Sequence, residues 1–271
     1  MTLYYEDDSV MIFHADCRDV LGTLHANAVV TDPPYGETSL DWDVPVSEWA
    51  RLLIPDSLWC FGSLRMFMRR AEEFAGWNLA QDVVWEKHNG SNFHADRFRR
   101  VHEIAAHFYR GAWDAIYKQP VTTQDATARA VRRKERPPHT GEIAGSTYTS
   151  EDGGPRLMRS VIAVPSCHGY AQHPTQKPVG ILRPLIEYST PVGGVVLDPF
   201  MGSGSTLVAA KEAGRAAIGV DVDERYCEIA AGRCAQGVFD IAAASMSTSS
   251  IYDVLDTAWN STGHGSDGEG Q

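Results

Sequence analysis

The sequence is short of positive charge: 24 Lys and Arg stand against 35 Asp and Glu, a formal net of −11 over 271 residues. Affinity for phosphates comes from Lys and Arg, so this balance argues at first sight against a nucleic-acid partner. Cys-x-x-Cys pairs are absent. The five cysteines (Cys17, Cys60, Cys167, Cys227, Cys234) are odd in number and scattered, which suggests neither a disulfide framework nor a zinc site. No apolar run approaches the roughly 20 residues that cross a bilayer. The start, MTLYYEDDSV, is acidic rather than basic-then-apolar, so no secretory signal is read and the expected compartment is the cytoplasm, away from membranes. Internal repeats are lacking as well.

What is present is ordinary globular composition, 43% hydrophobic and 22% charged, with a length that suits one α/β domain carrying an insertion. Charge is unevenly spread. Residues 1–60 hold eleven acids against Arg18 and Arg51, and residues 236–271 hold five acids with no Lys or Arg. From Glu86 to Arg136, by contrast, eleven Lys and Arg meet six acids. Such a segment either faces DNA or is a solvated surface loop. Within it Phe93 and Phe98 mix with Arg97, Arg99 and Arg100, a combination suited to a strand of nucleic acid. Arg132, Arg133, Lys134 and Arg136 offer further phosphate contacts.

Short apolar runs alternate with amphipathic stretches, the pattern of a doubly wound, mostly parallel sheet with helices on both faces. Seven strands are expected, at Ser9–His14, Ala28–Thr31, Leu58–Phe61, Val83–Glu86, Ile104–Tyr109, Val195–Asp198 and Ala217–Val220. Helices are expected around Val46–Ile54, Leu64–Ala75, Val179–Tyr188, Ser205–Ala213 and Glu224–Cys234. Residues 111–170 break this rhythm with Pro120, Pro137-Pro138 and Gly153-Gly154-Pro155, and read as an insertion between a first half (1–110) and a second (171–244). A tail of Ser, Thr, Gly and acids fills 245–271, where Ile251, Val254, Leu255 and Trp259 keep a helical stripe that is either a docking surface or a helix packed on its own domain.

Two motifs carry chemistry. The first, Asp32-Pro33-Pro34-Tyr35, follows the apolar run Ala28–Thr31, at the carboxyl end where open α/β sheets place ligands. An exocyclic amine on a base is a poor nucleophile because its lone pair is delocalised into the ring. A carboxylate accepting one N–H and a backbone carbonyl accepting the other draw that nitrogen toward tetrahedral geometry, and Asp32 and the Pro33 carbonyl fit those roles. Two prolines have fixed φ and no N–H, so they make a stiff loop, and Tyr35 is placed to stack on a flipped-out base. A strand-ending turn of the same composition is the plain alternative.

The second motif is Asp198-Pro199-Phe200-Met201-Gly202-Ser203-Gly204-Ser205 after the strand Val195–Asp198, with Gly202 and Gly204 permitting close approach to a ligand. About twenty residues on, a strand ends in Asp221, where a carboxylate can bind a ribose diol. The glycine spacing lacks the full dinucleotide fingerprint, which favours S-adenosylmethionine over a nicotinamide cofactor.

With both motifs in hand, the chain resembles the beta-class DNA amino-methyltransferases, in which the catalytic motif precedes a target-recognition region and then the cofactor motif. The likeness runs through HADCRDVL, DPPYGETSLDWD, VVWEKHNG, RRVHEIAAHFYR, HPTQKPVGILRPLIEY, VVLDPFMGSGSTLVAA and IGVDVDERYCEIAAGR, most of residues 10–235. It implies a circularly permuted, seven-stranded Rossmann-like methyltransferase sheet with an inserted target-recognition region, acting on double-stranded DNA with S-adenosylmethionine. It further implies that Asp32, Pro33, Pro34 and Tyr35 hold the target amine. Asp198, Pro199, Phe200, Gly202, Ser203, Gly204 and Ser205 would cradle the methionine part of the cofactor, Asp221 its ribose, and Asp16 with Cys17 its adenine. Thr175 and Lys177 match positions flanking the methionine end. Asp at the head of the catalytic motif is typical of N6-adenine enzymes, and Ser of N4-cytosine ones. Relatives that dimerise make a homodimer a further expectation. Methylation of cytosine N4, of RNA or of a protein amide, and a catalytically silent binding module, are the alternatives. Cys167 is incidental, because amine methylation needs no covalent adduct, and no pair among the histidines has metal-ligand spacing.

Overall fold

The computed structural model describes residues 2–88, 90, 95–133, 146–167, 169, 171, 173 and 175–236. In chain order the first elements are β1 (Thr2–Glu6), β2 (Val10–His14), α1 (Cys17–Val20), β3 (Ala28–Thr31), α2 (Trp49–Leu52), β4 (Ser57–Gly62), α3 (Leu64–Arg69), β5 (Asn78–Glu86) and β6 (His102–Tyr109). There follow the short strands β7 (Thr122–Thr123), β8 (Arg129–Arg133), β9 (Ser146–Ser150) and β10 (Arg156–Leu157). The last elements are β11 (Val161–Ala163), α4 (Val179–Ser189), β12 (Val195–Asp198), α5 (Ser205–Glu212), β13 (Ala216–Asp221) and α6 (Glu224–Ala235). The chain divides into two compact units, Pro120–Arg159 and the remainder. The smaller unit holds two antiparallel pairs, β7 with β10 and β8 with β9.

The larger unit is built on one sheet in the order β1-β2-β13-β12-β3-β4-β6-β5-β11. All seven expected strands are in it, and β2, β13, β12, β3 and β4 form an unbroken parallel run. The two strands of this sheet that the sequence did not announce, β1 and β11, are its edges. Neither has a buried apolar run to betray it: β1 is largely solvent-facing and β11 is three residues long. The expected helix over 64–75 is broken at Arg70, after which Ala71–Phe74 form a 3-10 turn.

Successive side chains of a strand point to opposite faces, and the core follows. Val10, Ile12, Val30, Trp59 and Phe61 belong to a cluster with Ile181, Leu182, Leu207 and Ala230 from α4, α5 and α6. Met11, Phe13, Val29, Leu58 and Cys60 belong to another with Val20, Trp49 and Met66 from α1, α2 and α3. Both faces are therefore covered, as parallel strands require. The chain leaves β3 toward β4 on one side and leaves the adjacent β12 toward β13 on the other. That divergence opens a crevice at the carboxyl ends of β3 and β12, the switch point at which open α/β sheets bind ligands.

Among the described residues no helix is long and apolar enough to cross a membrane. The stripe Ile251 to Trp259, a docking surface or a packed helix on the sequence reading, and the tail around it lie outside the described residues.

His107 on β6 is fully buried, stacked on Trp59 at 4.5 Å with its Nε2 3.0 Å from the Ser57 hydroxyl. Burial pulls its titration down to about 4. The unfolded chain, near 6.5, takes up the proton first, so stability falls as pH drops from about 6.5 toward about 4, by on the order of 3 kcal/mol. Urea unfolding at stepped pH is expected to show this loss and a shallower one in His107→Gln.

Candidate functional site

At the switch point Thr31 and Asp198 close the gap between β3 and β12: the buried Thr31 hydroxyl donates to Asp198 Oδ1 at 2.7 Å. The next residue, Asp32, and the glycine turn after Asp198 then face one cleft of about 1680 Å³. Pro33, Pro34 and Tyr35 line it beside Asp32, and Pro199, Phe200, Gly202, Ser203 and Ser205 line the other side with Asp198. Asp16, Cys17, Thr175, Lys177 and Asp221 also reach it.

The two glycines of the turn differ. Both have positive φ, 49° at Gly202 and 75° at Gly204. A Cβ on Gly204 would lie 2.8 Å from Cβ of Ala230, so this glycine lets α6 pack against the turn, and it is not among the cleft-lining residues. At Gly202 the nearest atom would be the His173 ring at 3.6 Å, which leaves the backbone open to a ligand.

Asp198 is a buried carboxyl and Asp221 a half-buried one, and their hydrogen bonds come from N–H and O–H groups. Asp198 accepts from Thr31 and the Phe200 amide at 3.1 Å, and Asp221 from the amides of Gly202 at 3.0 Å and Asp223 at 2.9 Å. Burial pushes both up to about 6. Among the described residues neither carboxylate is in an ion pair, and the Arg233 guanidinium at this wall donates to the Ser203 carbonyl and to the Ser203 and Ser205 hydroxyls. The two acids therefore favour a ligand that brings positive charge. Asp16 differs in being gripped by Arg18 at 2.6 Å, which lowers its titration. Cys17 is pushed up to about 12 by burial, so its thiol is inert. Thr175 is fixed by His173, whose Nδ1 accepts the Thr175 amide at 3.2 Å. The His173 ring also packs against Tyr226 and Trp42.

On the Asp32 side the site is charged in both senses. Tyr35 donates its hydroxyl to Asp32 Oδ1, and Lys177 donates to Oδ2. Lys177 also lies 3.2 Å from Glu103, which pairs in turn with Lys87. Burial raises the titration of Asp32, against which Lys177 pulls it down. Burial alone would also raise Glu103, but Lys177 and Lys87 hold it at about 2. Lys177, expected at the methionine end of a cofactor, thus makes its direct contacts with Asp32.

Glu103, Lys87 and Asp43 escaped the sequence reading. Asp43 is buried and accepts the amides of Tyr35, Gly36, Glu37 and Thr38 at 2.7 to 2.9 Å together with the Thr38 hydroxyl at 2.8 Å. It fixes the loop that follows the two prolines. The signal lay in the second acid of Asp41-Trp42-Asp43, too common a pattern to point to this role.

Of the basic residues expected to meet DNA, Arg97 and Arg100 line the cleft, where Phe98 beside them is fully exposed. Arg97 pairs with Asp96 at 2.6 Å and Arg100 with Glu37 at 3.4 Å, whereas Arg99 is not among the lining residues. Arg132 and Arg133 belong to β8, in the smaller unit. Phe93, Lys134 and Arg136 lie outside the described residues. Among the described residues no group of His, Cys, Asp and Glu forms a metal site.

Comparison with known proteins bears on the same cleft. A family model described as DNA methylase, for N6 and N4 enzymes, matches residues 26–232. YubD of Escherichia coli (strain K12), whose name places it only provisionally among the methylases, is 31% identical over 233 residues, 78% of this chain and 84% of that one. The type II methyltransferase M2.LlaDCHI of Lactococcus lactis subsp. cremoris is 27% identical over 272 residues, covering 86% and 92%. Among solved structures, the M1.HpyAVI–SAM complex superposes with a TM-score of 0.57 at 24% identity, over 83% of this chain and 99% of that one. The cytosine-N4-specific PvuII DNA methyltransferase superposes at 0.56 with 15% identity, over 95% of each. These two likenesses speak for the fold.

Asp43 supplies a test of the loop. In Asp43→Asn the amide NH2 replaces the oxygen that accepts from Glu37 and Thr38, setting donor against donor. The expected loss is about 2 kcal/mol of unfolding free energy, measured by urea denaturation at pH 7. The loss shrinks on acidification, because the lowered titration of Asp43 contributes stability only above the ordinary carboxylate range.

Proposed function

The chain belongs to the DNA methylase family of N6 and N4 amino-methyltransferases, and from that premise we propose that it methylates N6 of adenine in double-stranded DNA through Asp32. The observation that carries this reading is the single cleft lined by both Asp32 and the open backbone of Gly202. An acceptor for an amine and a seat for a methyl donor are thereby brought face to face. The donor is S-adenosylmethionine, which when bound supplies an electrophilic methyl group on a positively charged sulfur. The wall that would hold it fits: Gly202 is open, and the buried Asp198 and half-buried Asp221 are carboxyls that favour a cationic ligand.

Each residue then has a task. Asp32 accepts one N–H of the amine and the Pro33 carbonyl the other, so that the nitrogen lone pair points at the methyl carbon. The nitrogen–carbon bond forms as the carbon–sulfur bond breaks, and the nitrogen sheds a proton to the carboxylate side. Tyr35 must give up its bond to Asp32 as the base arrives, which frees its ring to stack. A base inside a duplex cannot reach Asp32, so the nucleotide swings out of the stack. Arg97 and Arg100 at the cleft, with Phe98 exposed between them, suit the phosphate backbone there. Adenine is favoured over cytosine because Asp rather than Ser heads the catalytic motif, the residue that the resemblance associates with N6 chemistry.

Nucleosides released from DNA treated with the protein and S-adenosylmethionine are expected to contain N6-methyldeoxyadenosine by mass spectrometry; N4-methyldeoxycytidine in its place would assign the cytosine reaction. Asp32→Ala is expected to lose at least about a thousandfold in kcat, with S-adenosylmethionine affinity by calorimetry kept within a few fold. A folded Asp32→Ala protein that still methylates at the wild-type rate contradicts the assignment.

A further inference from the structure

Behind Asp32 stands a row of alternating charges, Lys87, Glu103, Lys177 and Asp32, largely shut off from solvent. Side-chain exposure is 12% for Lys87, 11% for Glu103, 7% for Lys177 and 21% for Asp32. The antiparallel pairing of β5 with β6 builds one end: Trp85 lies opposite Glu103, and the Lys87 amide bonds to the Val101 carbonyl at 2.7 Å. The loop ahead of α4 brings in Lys177, whose ammonium lies 5.2 Å from the Phe61 ring and 6.0 Å from the Trp85 ring. Burying four charges is costly even when they are paired, and such clusters gather where a group must be tuned for chemistry.

The second carboxylate is the feature that asks for a reason. A cation beside Asp32 favours its charged form against burial, yet Lys177 is shared. Glu103 Oε1 takes Lys87, while its Oε2 is buried without an aligned hydrogen bond and faces the Lys177 ammonium at 3.2 Å. A carboxylate that owned Lys177 alone would be a weak acceptor, its charge largely spent on that contact. One with no cation would be driven toward its protonated form by burial and would be a poorer acceptor still.

We propose that Glu103 is a positioning residue which, braced by Lys87, draws the Lys177 ammonium partly off Asp32 and so leaves that carboxylate both ionised and able to take the N–H of the target amine. Glu103 touches neither base nor cofactor in this role and acts through Lys177. The groups that bear on Asp32 are Lys177, Tyr35, Glu103 and, farther off, Lys87, Cys60 and Asp198. Removing the negative charge of Glu103 makes Asp32 easier to ionise, and removing the positive charge of Lys177 makes it harder. The two substitutions therefore act on Asp32 with opposite signs.

The test is the pH dependence of kcat. Glu103→Gln is expected to cost about tenfold in kcat, with KM for DNA and affinity for S-adenosylmethionine within about twofold, and to move the acid limb about one unit lower. Lys177→Gln moves that limb higher. The double variant Lys87→Gln/Glu103→Gln removes one buried cation with one buried anion, so it carries the test if the single variant does not fold; its limb moves the same way as in Glu103→Gln, by less. A limb that stays in place in both Glu103 variants overturns the inference, as does failure of both to fold, or a loss confined to thermal stability. The inference rests on amine methylation through Asp32. A wild-type protein that deposits no methyl group sinks that reading, whereas one that methylates while Glu103→Gln keeps its rate and pH profile sinks this inference alone.

Discussion

The pairing of Lys177 with Asp32 is the interaction on which the site depends. Asp32 is held in the crevice between β3 and β12, where burial works against its charge, and an uncharged carboxyl is a poor acceptor for an amine N–H. Lys177 comes from 145 residues farther along the chain and offsets that cost. Its own ammonium is buried in turn, and although burial alone would lower its titration, Asp32 and Glu103 raise it. Each charge is tolerated in the fold because the other is there, and Glu103 and Lys87 extend the same reciprocity to the sheet.

The two walls of the cleft are electrically unlike, and the difference suits the reaction. Around Asp32 the cations and anions alternate and nearly cancel. Around the glycine turn Arg233 bonds to Ser203 and Ser205, while Asp198 and Asp221 accept from N–H and O–H donors and, among the described residues, pair with no cation. On the proposed reading, a neutral amine approaching the first wall and a positively charged donor seated on the second would both meet surroundings matched to them. The parallel sheet produces this arrangement without long-range adjustment. β3 and β12 are hydrogen-bonded neighbours, and the Thr31–Asp198 bond fixes the loop after one strand to the turn after the other.

Much of this was legible in the residues alone. Strands buried on both faces read as continuous apolar runs, which is why Val195–Asp198 and Ala28–Thr31 stood out, and each ends in the motif that lines the cleft. Edge strands β1 and β11 have no such run and were missed. Within the site, Asp32 and Gly202 announced themselves through neighbours in sequence. Glu103 and Lys87 did not, because their meaning lies in contacts made across the sheet and to Lys177, which linear spacing does not record. Asp43 was hidden for a related reason: its five donors lie five to eight residues back in a loop without periodicity. Gly204 taught the converse lesson. Its place in the motif suggested a ligand, and its Cα is instead where α6 closes against the turn.

The most direct measurement is a crystal structure of the protein with duplex DNA and a cofactor analogue that cannot transfer its methyl group. The account predicts an adenine turned out of the helix, its N6 within about 3 Å of the Asp32 carboxylate, Lys177 still in contact with that carboxylate, and the analogue against Gly202. An extrahelical base whose amine is held by other groups, with Asp32 turned away from it, would contradict the account.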